Sequence, residues 1–142
     1  MPVGSEVHGY IVLTSTRFAA GPSSTAIPLF INKHPEGQPD TSVALFESGG
    51  AGSQYTYEGI KVENPTIQII SRSMSYETAR DNAEHIFGIL AAVTNQSIAK
   101  TTAGGTTPYV TITPLQSPAD IGQDAAARSL VTANYSIQKE LS

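Results

Sequence analysis

The chain has 142 residues, which suits one domain able to bury about two-thirds of its unfolded surface without a disulfide or metal staple. Only 14% of its residues are charged, against about 25% in ordinary soluble domains, so its surface is made largely of Ser, Thr, Asn, Gln, Gly and Ala. The net charge of −4 and the scatter of the eight Lys and Arg, no two adjacent, argue against a grip on nucleic-acid phosphates, and the lack of Cys excludes disulfides, thiolate nucleophiles and Cys-based zinc sites. No apolar run approaches the ~18 residues of a membrane span, and the start lacks the apolar stretch of a signal peptide. A soluble protein made in the cytoplasm, with no membrane partner, is expected.

From Ser5 to Phe18 a helical face carries Val7, Tyr10, Ile11, Thr14 and Phe18. Ser5 is the expected N-cap, with Glu6 in the first turn. Gly9 and the β-branched Ile11, Val12, Thr14 and Thr16 oppose a helix, so a strand over Tyr10 to Thr14 is the competing reading. Gly21-Pro22-Ser23-Ser24 ends the element. Ile27 to Ile31 reads as a short edge strand, because Pro28 cannot donate to a ladder. His34 to Asp40 is a loop by composition, Ser42 to Phe46 a buried strand, and Ser48 to Gln54 a glycine-rich loop followed by a short strand at Tyr55-Thr56-Tyr57. Pro65 to Arg72 alternates as a strand.

The segment from Tyr76 to about Val93 predicts the main helix. Ser75 caps it, Tyr76, Ala79, Ala83, Ile86, Phe87, Leu90 and Val93 line one face, and Glu77, Arg80, Asp81 and Glu84 hold the other. Asn95 is its expected stop. The Thr101–Thr107 segment reads as a loop and Tyr109 to Thr113 as a strand. The last strand puts Val131, Ala133, Tyr135 and Ile137 on one face and Thr132, Asn134, Ser136 and Gln138 on the other. The pattern implies one α+β domain over residues 1–142: a mixed or antiparallel sheet packed by one long and one or more shorter helices.

No pattern in the chain carries catalysis, so an enzyme is not expected, nor a cofactor or metal. His8, His34 and His85 are isolated from one another and fit no metal-ligand spacing. Gly49-Gly50-Ala51-Gly52 and Gly104-Gly105 lack the Lys-Ser/Thr of a phosphate loop and the spacing of a dinucleotide loop. Asp120 and Asp124 could share a cation, but caps of their own turns are the plainer reading. The most position-specific item is Gly122 and Asp124 with Arg128: a helical turn through the three alanines would bring Asp124 and Arg128 face to face. They would then form either an internal staple or a subunit contact.

The order Pro65–Arg72, Tyr76 with Ala79-Arg80, Tyr109, Pro114–Pro118, Gly122, Asp124, Arg128 and Asn134-Tyr135 resembles the tail-terminator and minor capsid proteins of long-tailed bacteriophages. Pro39-Asp40, Val43–Phe46 and Gly49-Gly50 extend the likeness, which runs from Pro39 to the C-terminus. The resemblance implies a virion protein that forms a hexameric ring on the head-proximal end of the tail tube. Such a ring stops tube growth and offers a surface to the head connector, while DNA passes through its channel without specific binding. Its partners would be further copies of itself, the tail tube protein and the connector or neck protein. A heterologous ring needs two patches. One is expected at the sheet edge, Ala26–Ile31 or Ser42–Glu47, and the other at Asp120, Asp124 and Arg128. Glu36, Asp40 and Glu47 are expected to face the channel, where negative charge repels DNA. A head-completion or neck protein is the near alternative, and a small ligand-binding domain using the glycine loops the distant one.

Overall fold

The structure, a computed structural model, describes residues 3–21, 26–34, 36–37, 40–55, 61–94, 96–99 and 106–140. Two helices and eight strands follow one another as α1 (Val3–Thr14), β1 (Phe18–Ala20), β2 (Ile27–Ile31), β3 (Ser42–Tyr55), β4 (Lys61–Ser73), α2 (Tyr76–Ala91), β5 (Gln96–Ala99), β6 (Thr106–Pro114), β7 (Ala119–Gln123) and β8 (Ser129–Glu140). The α+β class holds, and the sheet is mixed: β1, β2 and β3 run parallel, and every other pairing is antiparallel. The strand order is β1-β2-β3-β4-β8-β6-β5, and β7 also pairs with β8. β7 meets the first residues of β8 (Ser129–Thr132), and β6 meets residues Tyr135–Gln138.

Both helices cover one face of this sheet. On that face Val43, Leu45, Ile67, Ile69, Ala133, Tyr135 and Ile137 form the core with Val7 and Ile11 of α1 and with Ile86, Leu90 and Val93 at and beyond the end of α2. α2 follows its expectation closely except at Tyr76, which was expected on the buried face but is exposed and accepts a bond from Arg80. Ser75 Oγ accepts from Thr78 N–H and caps the first turn, and the apolar face lands on β4, β6 and β8. Phe87 is only half-buried, against the side of Tyr135, and Val131 packs instead with Ala79 and Ala83 nearer the start of the helix.

α1 is a helix in spite of its β-branched residues, because burial of Val7 and Ile11 outweighs a few tenths of a kcal/mol of propensity per residue. It begins at Val3, so Ser5 lies inside its first turn rather than capping it, and Thr14 is exposed rather than on the buried face. Glu6 meets Lys139 of β8 at 3.4 Å, both side chains about 95% buried. Ser15 N–H bonds the Ile11 carbonyl and ends the helix, and Phe18, expected on its face, instead opens β1.

Three further expectations are corrected. β2 is not an edge strand, since β1 and β3 flank it in parallel and Pro28 lies opposite Ala19. Ser42–Glu47 is likewise no edge, lying between β2 and β4. The Ser48–Gln54 segment is not a loop: β3 continues through it to Tyr55 and pairs with β4 as far as Lys61, with register shifts at Ala51 and Gln54. Glycine lowers strand propensity without forbidding it, and a paired neighbour supplies the missing hydrogen bonds. The expectations placed on residues 22–24, 56–57, 95 and 101–105 lie outside the described residues.

Candidate functional site

Parallel neighbours need a crossover, and most sheets use a helix for it. Between β2 and β3 the crossover runs through residues 32–41, whose described members belong to no helix or strand. Asn32 opens it in the left-handed conformation (φ 57°), and its Oδ1 accepts from Glu47 N–H at 3.0 Å. Two of the loop's residues, His34 and Glu36, line a cleft of about 680 Å³ with Phe46, Ile70, Arg72 and Leu130. Phe46, Ile70 and Arg72 alternate with the core residues Leu45, Ile69 and Ser71, so they occupy the sheet face turned away from the helices.

Arg128 holds this loop. Its side chain is 4% exposed, and it donates through Nη1 to the Gly37 carbonyl at 2.7 Å and through Nη2 to the Glu36 carbonyl. Nη1 also stands 3.6 Å from Asp40 Oδ1. Nε donates to Asp124 Oδ2 at 2.9 Å. The two residues do face each other, but the cause is a β-hairpin turn and not a turn of helix. Ala127 N–H bonds the Asp124 carbonyl and Asp124 N–H bonds the Arg128 carbonyl, both at 3.0 Å, with Ala127 left-handed at φ 62°. This is a three-residue hairpin loop whose last residue forms the bulge. Asp124 Oδ1 also accepts from the backbone N–H groups of Ala126 and Arg128. The bond from Arg128 N–H, foremost among these contacts, holds the Asp124 carboxyl below its usual range.

His34 closes the other side of the loop. Its Nε2 lies 2.7 Å from Ser42 Oγ at the start of β3. Burial, then the nearby Arg72 and Arg128 charges, push its pKa down to about 4, so the ring is neutral at pH 7. Arg72, buried on β4, has its proton affinity lowered by burial and by Arg128.

Four of the six residues singled out from the sequence therefore gather in one place: Glu36, Asp40, Asp124 and Arg128. Asp120 and Glu47 stand apart from that ion-pair cluster. Asp120 is exposed on β7 opposite Val131, and its Oδ1 accepts from Gly122 N–H at 2.9 Å across a bulge where Gly122 has φ 101°. Glu47 is on β3 opposite Ile67. The staple reading of Asp124 and Arg128 is thus realised inside one subunit. His34 was weighed as a ligand or base and set aside, and Arg72 and the floor of Phe46, Ile70 and Leu130 were not singled out as site residues. Strand alternation in Phe46 and in Ile70 and Arg72 carries the signal, because those positions fall opposite a core-facing neighbour and are still apolar or strongly basic.

No curated protein matches the chain. The family model of the bacteriophage tail terminator protein does match it, over residues 12–141, from within α1 to just past β8. That span includes the whole sheet, α2, the crossover loop and the Arg128 turn. No described helix is long and apolar enough to cross a membrane. The chain belongs to the bacteriophage tail terminator family and is a structural component of a phage tail.

Proposed function

We propose that the protein caps the head-proximal end of the tail tube as a homo-hexameric ring, stops tube growth there, and presents the joining surface to the head connector or neck protein. The family match over residues 12–141 carries this reading. A tail terminator is a structural protein, and that supports an assembly role here. The sheet face turned away from the helices supports it. Thr66, Gln68, Asn134, Ser136 and Gln138 fall there by strand alternation and none is charged; Arg72 on the same face is already buried within the subunit. Such a surface can be buried against a neighbouring copy without desolvating ions. Leu13, Met74, Leu115 and Ile121 add exposed apolar side chains elsewhere on the surface.

The subunit contact is head-to-tail, so each copy uses two different patches. With β2 and β3 both internal, the 120–128 segment remains as one candidate. Within it Asp120 and the exposed alanines of the turn would touch the neighbour, while Asp124 and Arg128 fix the turn's shape. Because Arg128 ties Glu36 and Asp40 to that same turn, this patch is adjacent to two of the three acidic residues expected at the channel, with Glu47 standing apart. Glu36, Asp40 and Glu47 would then set the charge at the channel mouth, where DNA passes without specific binding. The test is assembly with purified tail tubes. Wild-type protein should arrest tube growth and appear as a ring at one end, and Asp120→Arg should reduce ring formation while leaving the melting temperature unchanged. Tubes that elongate equally with and without the protein would contradict the proposal.

A further inference from the structure

We propose that His34 and Arg128 form an acid-released clasp on the β2–β3 crossover loop, holding it over the cleft at neutral pH and letting it go when His34 takes up a proton. The inference rests on no part of the ring reading. Its basis is the convergence of two anchors on one loop. Arg128 grips the Glu36 and Gly37 carbonyls, and His34 reaches Ser42 Oγ at 2.7 Å. None of the loop's described residues is helical, so these contacts stand in for the packing a crossover helix would supply.

The charges around the imidazole decide the direction. Arg72 faces it from β4, and Arg128 from the β7–β8 turn. Asp124 of the same turn opposes them but is already bonded to Arg128. Of the loop's own carboxylates, Glu36 lines the same cleft and Asp40 is drawn to Arg128. Ser42 of β3 favours the charged ring through a backbone hydrogen bond, but this is the smallest of the contributions, and Phe46, Ile70 and Leu130 supply no charge. An imidazolium here would be a third cation beside two guanidiniums in a half-buried site. The closed loop therefore holds His34 neutral down to about pH 4, whereas a released loop returns it to the ordinary 6.5. The released state binds more protons between those two values, so acid favours release across that window and has no such effect above it. Asp124, whose carboxyl is held below its usual range, stays ionised through most of the window. Loss of the Asp124–Arg128 pair is therefore not what opens the loop. Release uncovers the floor of Phe46, Ile70 and Leu130.

NMR on the labelled full chain in moderate salt, titrated from pH 7.5 to 4.5, tests this. The His34 ring should titrate at least one unit below a free histidine. The Glu36 and Gly37 amide signals should move together with it, while Ile69 and Val131 in the core stay fixed. His34→Gln keeps a donor for Ser42 and cannot be charged, so its loop signals should stay flat over the same range. Arg72→Gln removes one repelling cation and should raise the His34 midpoint. Titration of His34 near 6.5 with the loop signals unmoved would overturn the clasp, as would an unchanged acid transition in His34→Gln. His85 of α2, bonded to Ser15, serves as an internal control, since its protonation would move signals of the helices and not of the loop.

Discussion

Replacing Ala127 by glycine should stabilise the protein. Ala127 is exposed and sits at φ 62°, the third residue of the hairpin loop that carries Asp124 and Arg128. A side chain in that left-handed region costs about 1–2 kcal/mol. Glycine removes the cost but has more freedom to lose on folding, which takes back about 0.4–1 kcal/mol. The methyl group is in solvent, so little burial is lost with it. The net gain is about 1 kcal/mol, or about 3–5 °C in melting temperature for a chain of this size. Thermal melts and urea unfolding followed by circular dichroism would measure it, with an unchanged urea slope showing that the states compared are the same. Two other residues act as controls. Gly122→Ala meets no neighbour within 4 Å but would hold φ 101°, so it should lose about 1–2 kcal/mol. Asn32→Gly should not gain, because the Oδ1 bond to Glu47 N–H goes with the side chain. An Ala127→Gly variant no more stable than the parent would refute the turn geometry on which the loop clamp depends.

Arg128→Met should destabilise the subunit, since it removes the donor that ties the Glu36 and Gly37 carbonyls to Asp124, and Arg128→Glu should be more damaging because it sets a carboxylate beside Asp124 and Asp40. A monomer melt unchanged by Arg128→Glu would instead favour the subunit-contact reading of this pair. Lys139→Met alone should destabilise by about 3 kcal/mol by stranding Glu6 in the interior, and the pair Glu6→Leu with Lys139→Met should recover most of the loss; a double-mutant cycle in urea decides this. Leu90→Ala should cost about 2–5 kcal/mol and Phe87→Ala less, because Leu90 is fully buried and Phe87 is not; equal melting-temperature shifts would contradict the packing. Tyr135→Phe should be neutral or stabilising by up to about 1 kcal/mol, since the buried phenol oxygen has no hydrogen-bond partner among the described residues; a clear loss on thermal melting would mean that it has one.

The parts legible in the sequence are those whose pattern has a single period. α2 shows a helical stripe and a serine cap, and β8 alternates cleanly, so both were readable to within a residue or two. β2 was located correctly and placed wrongly. A proline argues for an edge only if its missing N–H would face a partner, and the three-residue β1 that flanks it carries no signal of its own. The β3 arm was hidden because Ser48–Ser53 has almost no apolar residue to alternate; its strand form is set by pairing with β4. The Asp124–Arg128 contact was legible and its cause was not, because three alanines favour a helix on propensity while the flanking strands impose a hairpin. What joins Arg128 to Glu36, Gly37 and Asp40 spans about ninety positions of sequence, and no local pattern encodes a contact of that range.

Electron microscopy of tail tubes assembled with the protein tests the central proposal most directly. The account predicts a closed sixfold ring of this chain at the head-proximal end of each tube, with tube length uniform when it is present and uncontrolled when it is absent. A different rotational order about the tube axis, or protein found only on the head side while tube length is unaffected, would contradict it.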